Sequence, residues 1–409
     1  MAKSDLIVGL DIGTTKICAV VGEPNELGTV DIVGIGTSPS TGLRKSVVIN
    51  IEQTVQSIKK ALEEAELMAG CEIHSVYAGI AGNHIKGFNS HGIIAVKGGE
   101  VSPKDMERAI DAAKAVAIPL DREVVHILPQ EYIVDDQRGI ADPQGMAGVR
   151  LEVKVHIVTG AVTSTQNIVR SCHRSGLDVA DIVLESLASS KAVLTNEECE
   201  IGVVLVDLGG GTTDIAVFAN NSIKHTGVIA LGGTNLTNDI AFGLRTPVVS
   251  AEKIKIKYGC ALAELVKNNE TIEVASVGGR KPRRLSRQIL AAICEPRMEE
   301  ILSLVDQELT RSGFKSLVGS GAVLTGGAAI IEGIVELGEQ ILNLPTRVGI
   351  PRNTGGLKDV VNSPMYATAV GLLMFGAEKE GLDAKFRIHN VNTFNRIRSR
   401  IKKWFVEIL

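Results

Sequence analysis

Two short stretches combine the residue types that can hold a polyphosphate and its counter-cation. One runs through Asp11, Gly13, Thr14, Thr15 and Lys16, and the other through Asp207, Gly209, Gly210, Gly211, Thr212, Thr213 and Asp214. A polyphosphate needs main-chain N–H groups aimed inward with no side chain in the way, which glycine permits. The threonine hydroxyls can donate to phosphate oxygens, and Lys16 supplies a point positive charge. A carboxylate beside a phosphate makes sense only with a cation between them. Asp11 and Asp207 therefore read as the residues that hold Mg²⁺, largely through water. Asp214 can assist from just beyond the second turn. A single Asp-x-Gly-Thr is weak evidence, because plain hairpins also turn on Gly-Thr. Two of them, one extended to three glycines, point to a nucleotide.

Both stretches have the same setting. An apolar run (Val8–Ile12, Val204–Leu208) leads into the acid and the glycine turn, and a second apolar run follows. The pattern predicts a β-hairpin with a chemically loaded turn, present once in each of two similar halves. A third element, Ala322–Gly333, reads as strand, Gly326-Gly327 turn and helix, and so offers bare backbone to a phosphate or a flat base. Glu252 and Lys255 lie one helical turn apart, in reach of a ribose and purine or else forming a solvated ion pair. Helices are predicted at 51–68, 105–116, 166–175, 186–194, 235–242, 251–257, 285–293, 298–309 and 330–337, and strands at 151–158 and 321–324. This is an α/β chain interrupted by insertions.

The 409 residues suffice for two to four domains, and 44% are hydrophobic but only 3% aromatic. The core must rest on Val, Ile, Leu and Ala, which suits buried sheets. The formal net charge of −4 argues against nucleic-acid binding by the body of the chain. Six cysteines without paired or zinc-type spacing suit a reducing cytoplasm. The N-terminus lacks signal-peptide features and no apolar run reaches about 18 residues, so the expectation is a chain neither secreted nor membrane-spanning.

In order and separation, the three glycine elements resemble the actin superfamily of ATPases. Asp11–Lys16 matches its first phosphate loop, Asp207–Asp214 its second and Thr325–Gly333 its adenosine segment. Glu185–Ser190 and Tyr366–Leu373 match its two connecting helices. The resemblance implies ATP with Mg²⁺ in a cleft of an actin-like (ribonuclease H-like) two-lobed fold with four subdomains. Finer stretches (Pro129–Asp135, Gly148–His156, Ser276–Arg280 and Cys294–Arg297) resemble a bacterial cell-division branch of that superfamily, in which one subdomain is an insert. That implies a first large subdomain of 1–83, 163–202 and 360–376, with the insert at 84–162. The second lobe would comprise a large subdomain (203–232 and 300–359) and a small one (233–299). Glu185 takes the position that orients the attacking water in hydrolysing members; as a helix-start acid it has an equally good structural reading. Ser186 stands where many relatives have proline. Turnover is expected to be slow or negligible, with nucleotide acting as a switch. Rival readings within the superfamily are a pilus-assembly ATPase, a sugar kinase and a chaperone ATPase. The kinase lacks a separate acceptor base, and the chaperone needs a large domain after the ATPase.

The segment after Gly376 is polar and patternless and reads as a linker over 377–391. An amphipathic helix is predicted over 392–409. Phe394, Ile397, Ile401, Trp404, Phe405 and Ile408 share one face, with Arg396, Arg400 and Lys403 opposite and Arg398 and Lys402 at the flanks. Such a helix suits the plane of an anionic membrane surface. Five basic residues less one Glu give roughly 4 kcal/mol of attraction. Docking of the helix on the protein's own core is the alternative. Arg280, Lys281, Arg283, Arg284 and Arg287 cluster around Pro282, the last three read as opening a helix, and Arg297 lies further along. The cluster is either a solvated loop or a dock for an acidic peptide. The resemblance implies that Arg280, Arg284, Arg287 and Arg297 meet the C-terminal peptide of FtsZ. It also implies self-assembly into filaments, attachment to the cytoplasmic face of the cell membrane at the division site, and contact with later division proteins.

Overall fold

The computed structural model describes residues 6–25, 29–278 and 280–389, with backbone alone from residue 380 on. The 392–409 helix, with Phe394, Ile397, Arg400, Ile401, Lys403, Trp404, Phe405 and Ile408, lies outside the described residues.

Two sheets repeat one plan. In the first, strands run in the order Asp178–Leu184, Ser75–Ile80, Ile7–Ile12, Lys16–Pro24, Val30–Pro39, Thr354–Gly356. In the second the order is Ser222–Ile229, Thr213–Ala219, Val203–Leu208, Ala322–Thr325, Thr346–Val348. Each places an acid-bearing strand between its antiparallel hairpin partner and a parallel strand. All residues of Ile7–Ile12 and Val203–Leu208 are buried, as expected for central strands covered on both faces. Register puts Asp11 opposite Cys18 and Asp207 opposite Asp214, so the second hairpin carries a carboxylate where the first has a thiol.

A third sheet, ordered Lys86–Ala95, Arg150–Ala161, Arg122–Val134, Gln137–Ile140, forms its own core with the helix Pro103–Lys114. That helix starts on a Ser102–Asp105 capping box, which satisfies two orphan donors reciprocally. Lys86–Ala95 and Arg122–Val134 rest on the second sheet's outer strand, where Gln130 donates to the Ile223 carbonyl and buried His156 bonds Asn89 and Thr226.

Two helices, Glu185–Val193 and Ala367–His389, cross between the main sheets. The crossing is tight because Gly371 has no side chain: an added Cβ would lie 1.8 Å from the Ala188 carbonyl oxygen.

Three expectations need correction. The helices predicted at 285–293 and 298–309 are one, Arg287–Ser312, with Pro296 inside. Leu290, Cys294, Met298 and Leu302 bury a continuous face across the proline, and that packing outweighs the missing hydrogen bond. Arg283 and Arg284 do not open the helix; they lie on a strand, Arg283–Ser286, paired with Thr271–Val274. The β-branched partner and the Glu273–Arg284 cross-strand pair favour extended backbone there. Finally, the stretch after Gly376 is no structureless linker, since the helix continues to His389. Glu, Lys, Leu and Ala are good helix formers, so low amphipathicity does not make that stretch coil. Among the described residues no helix is long and apolar enough to cross a membrane, and all six cysteines are free thiols.

Candidate functional site

The two glycine turns form the same hydrogen bond, Gly13 N–H to the Lys16 carbonyl and Gly209 N–H to the Thr212 carbonyl. They face each other and touch. A Cβ on Gly210 would fall 2.6 Å from Thr15, and one on Gly211 would fall 2.5 Å from the Thr14 hydroxyl. Bare backbone at these positions is what lets the turns meet over one cavity of about 270 Å³. Asp11, Gly13, Thr14, Thr15, Lys16, Glu185, Asp207, Gly209, Gly210, Glu252, Lys255, Gly326 and Gly327 all line it, and Thr212 and Asp214 lie at its wall. Gly211 and Thr213 do not line it; Gly211 packs on Thr14 and Lys45, and the Thr213 hydroxyl donates to the Leu231 carbonyl.

Asp207 is the mechanical centre. Its Oδ2 accepts from Ser189 (2.6 Å) on one crossing helix and from Thr368 (3.3 Å) on the other. Gly326, at φ 86°, leaves room for the other carboxylate oxygen, since a Cβ there would sit 2.4 Å from it. Glu185, the first residue of its helix, fits against Gly79. Lys16 donates to the Met365 carbonyl (2.5 Å) and lies 4.5 Å from the centre of the Tyr366 ring. Lys255 pairs with Glu252 at 2.8 Å and also donates to the Gly233 carbonyl. That geometry ties the helix Val248–Tyr258 to the start of Gly233–Gly243, which itself bonds back to Gly209 and Gly210.

Four carboxylates share this buried space. Burial, opposed by Lys16 and reinforced by Asp207, pushes Asp11 up to about 6. Burial and then Asp207 push Asp214 up to about 7. Burial, followed by the neighbouring acids, raises Glu185 well above the ordinary range, and burial also raises Asp207. Asp214 Oδ2 accepts from Thr212, while its buried Oδ1 has no partner among the described residues. A divalent cation suits this set, because it would lower all four and engage the orphaned oxygen. Among the described residues no three His, Cys, Asp or Glu side chains form a metal cage, so any cation here would keep water in its shell.

Sequence reasoning did not single out Ser189 and Thr368 as the groups that grip Asp207. It also missed Ser46, Gly233, Ile256, Ile330 and Met365 on the cavity wall. Gly232-Gly233-Thr234 carried a signal of its own, glycines opening a helix; Ser46 carried none. A larger crevice of about 1060 Å³ opens elsewhere, along Leu187, Lys191, Phe218 and Met374. Among the described residues it has no glycine turn, and the carboxylate that lines it, Glu378, is paired with Lys191.

The model of the cell division protein FtsA matches residues 204–371, and that of the SHS2 domain inserted in FtsA matches residues 82–159. A cell division protein FtsA of Pseudomonas aeruginosa is 57% identical over 375 residues, covering 92% of this chain and 90% of the relative. The chain belongs to the FtsA family of cell-division proteins. The FtsA-family chain also shares the actin-like fold of two solved structures. The PilM–PilN type IV pilus biogenesis complex matches at TM-score 0.66 and 16% identity, over 91% of this chain and 98% of that one. MreB5 of Spiroplasma citri bound to ADP matches at TM-score 0.52 and 16% identity, over 92% and 98%. At such identities the likeness is one of fold alone.

The cations expected to meet a peptide differ in their freedom. Arg280 and Arg284 are exposed. Arg287 is held by Glu270, Glu332 and the Tyr258 carbonyl. Arg297 is held by Asp239 and Glu300.

Proposed function

We propose that this chain binds ATP with Mg²⁺ between its two main sheets, polymerises, and tethers the FtsZ ring to the inner face of the cytoplasmic membrane, where it recruits later division proteins. The observation that carries the nucleotide reading is that two acid-and-glycine turns, one from each sheet, close over a single cavity. Thr14, Thr15 and Thr212 would donate to phosphate oxygens, with Lys16 as counter-charge. Asp11 and Asp207 would hold Mg²⁺ through water, and Glu252, Lys255, Gly326 and Gly327 would receive the nucleoside. Bound Mg²⁺ would supply charge neutralisation of the phosphates and acids. Glu185, half-buried on the cavity wall, would align a water toward the terminal phosphate.

For the FtsZ peptide, the exposed hairpin carrying Arg283 and Arg284 is the better-suited surface. Arg283 donates to the Leu244 carbonyl, at the end of a helix that exposes Phe242, so cation and apolar side chain lie close together. Arg287 and Arg297 would support that surface from below. Attachment through residues 392–409 is weak singly and gains avidity along a filament.

The test is co-pelleting with anionic vesicles and ATP, with and without residues 392–409, with electron microscopy of the pellet. The expected result is filaments on membrane that disappear from the vesicle fraction on truncation. Equal pelleting of the truncated chain would refute the membrane reading, and no ATP uptake by calorimetry would refute the nucleotide reading.

A further inference from the structure

One residue on the cavity wall belongs to neither glycine turn. Ser46 sits at the tip of a small hairpin, Leu43–Arg44 with Val47–Val48, and is buried. Lys45 and Ser46 have φ of 50° and 60°. Two successive left-handed residues make a turn that ordinarily selects Asn-Gly, so Lys-Ser is held there against its own preference. The surroundings explain what holds it. Ser46 N–H donates to the Thr14 hydroxyl at 2.9 Å. The Ser46 hydroxyl lies 3.2 Å from that of Thr212 and 3.4 Å from that of Thr14. The tip also presses on the second turn, since a Cβ on Gly211 would be 2.9 Å from Lys45 Cα.

Ser46 therefore bridges both turns and joins their hydroxyls in one hydrogen-bonded group. Its position along the cavity is set by the second turn. That turn runs from Gly209, next to Gly233 and so to Lys255, to Gly211 and Thr212, next to Lys45 and Ser46. A nucleotide with its nucleoside near Glu252, Lys255 and Ile256 would bring the far end of its phosphate chain to Ser46. A hydroxyl can redirect its hydrogen from a neighbouring hydroxyl to a charged oxygen, and the bond strengthens in doing so.

We propose that Ser46 is a fourth hydroxyl of the phosphate clamp, beside Thr14, Thr15 and Thr212, donating to the terminal phosphate of a nucleoside triphosphate and so separating triphosphate from diphosphate. The proposal rests on the nucleotide reading above. The same hairpin gives the contact a route outward: the Lys45 carbonyl packs on Gly82, beside His84, where the inserted sheet departs from the first. His84 in turn offers its carbonyl to Arg122 of that sheet, at 2.8 Å.

The test is calorimetry of Mg-ATP and Mg-ADP binding to the full chain, to Ser46→Ala and to Ser46→Gly. Ser46→Gly relaxes the left-handed turn and keeps the N–H but lacks the hydroxyl, so it separates the hydroxyl from the strain and guards against misfolding of the alanine variant. Both variants should lose about tenfold or more in ATP affinity, the weight of one hydrogen bond to a charged group, and less than about twofold in ADP affinity. Equal losses for the two nucleotides, unchanged ATP affinity, or a loss in Ser46→Ala that Ser46→Gly does not share would each overturn the assignment. Failure of the unmodified chain to take up either nucleotide would instead overturn the nucleotide reading, and the assignment with it.

Discussion

Replacing Gly371 by alanine sets two effects of opposite sign against each other in a single methyl group. Gly371 lies inside a long helix, where alanine is worth about 1 kcal/mol more than glycine in helix propensity. Against that, the new Cβ would sit 1.8 Å from the Ala188 oxygen and 2.3 Å from its carbon. Both are backbone atoms of the crossing helix, so no rotamer change relieves the clash. The helices must part by about 1 Å or more to restore a normal contact. Overpacking typically costs about 1–3 kcal/mol, and rigid backbone places this case at the upper end. The expected net result is a loss of about 2 kcal/mol in urea unfolding. A second consequence follows from what each helix holds. Ser189 and Thr368 converge on Asp207 from the two sides, so parting the helices loosens a charged hydrogen bond, and ATP affinity should fall by about tenfold. Gly338→Ala is the matched control. It lies inside the helix Ile334–Leu342, has the same propensity gain, and has side-chain atoms as its nearest neighbours, the Thr346 methyl at 3.0 Å and the Leu324 methyl and Thr346 hydroxyl both at 3.4 Å. It should remain within about 1 kcal/mol of the unmodified chain. If Gly371→Ala proves as stable as Gly338→Ala and binds ATP as tightly as the unmodified protein, the argument from the helix crossing is wrong.

Four further outcomes are expected. His126 and His156 are both held down to about 4, mainly by burial, so they are neutral in the folded protein. Unfolding takes up their protons; stability is complete above pH 6.5 and should fall toward pH 4, by up to about 3 kcal/mol for each. His156→Gln, read by thermal unfolding from pH 7 to 4, should shrink that loss, and an unaltered profile would count against it. Arg287→Ala should lower stability by about 1–2 kcal/mol, discounted for the exposure of its partners Glu270 and Glu332. Arg284→Ala should leave stability alone and weaken binding of an FtsZ C-terminal peptide in fluorescence anisotropy; the reverse pattern would move the docking surface. Lys16→Ala removes the cation among four buried acids and should cut Mg-ATP affinity by at least about tenfold in calorimetry, with no change meaning that Lys16 stays on the Met365 carbonyl when nucleotide binds.

The hairpins were legible because their information is local: an apolar run, an acid, glycines and hydroxyls follow one another without a break in Val8–Thr15 and again in Val204–Thr213. The pattern also occurs twice in the chain, which is why the two-sheet plan followed from reading it. The grip on Asp207 was not legible in the same way. Ser189 and Thr368 are 18 and 161 residues from it, and a serine or threonine on a helix says nothing of what it faces. Ser46 failed for a further reason, since its turn departs from the residue types such a turn selects. Pro296 misled because local backbone chemistry argues for a break that a continuous buried face overrides. At Arg284 the deciding partner, Glu273, comes from another strand, and strand pairing is a property of two segments rather than one.

The helix that begins at Ala367 has its second residue on Asp207 and runs to His389. At 1.5 Å per residue its 23 residues make a rod of about 34 Å. Its first half, through Ala377, is packed into the core of the first sheet, so the described remainder to His389 is a stiff extension of that body and not a slack cord. A rotation of about 10° of the first sheet together with this helix, about Asp207, would sweep the far end through about 6 Å, within the range of domain rotations. Occupancy of the cavity could then be read at the far end of the helix as a change of angle and reach, with no need for any signal to travel across the protein's surface.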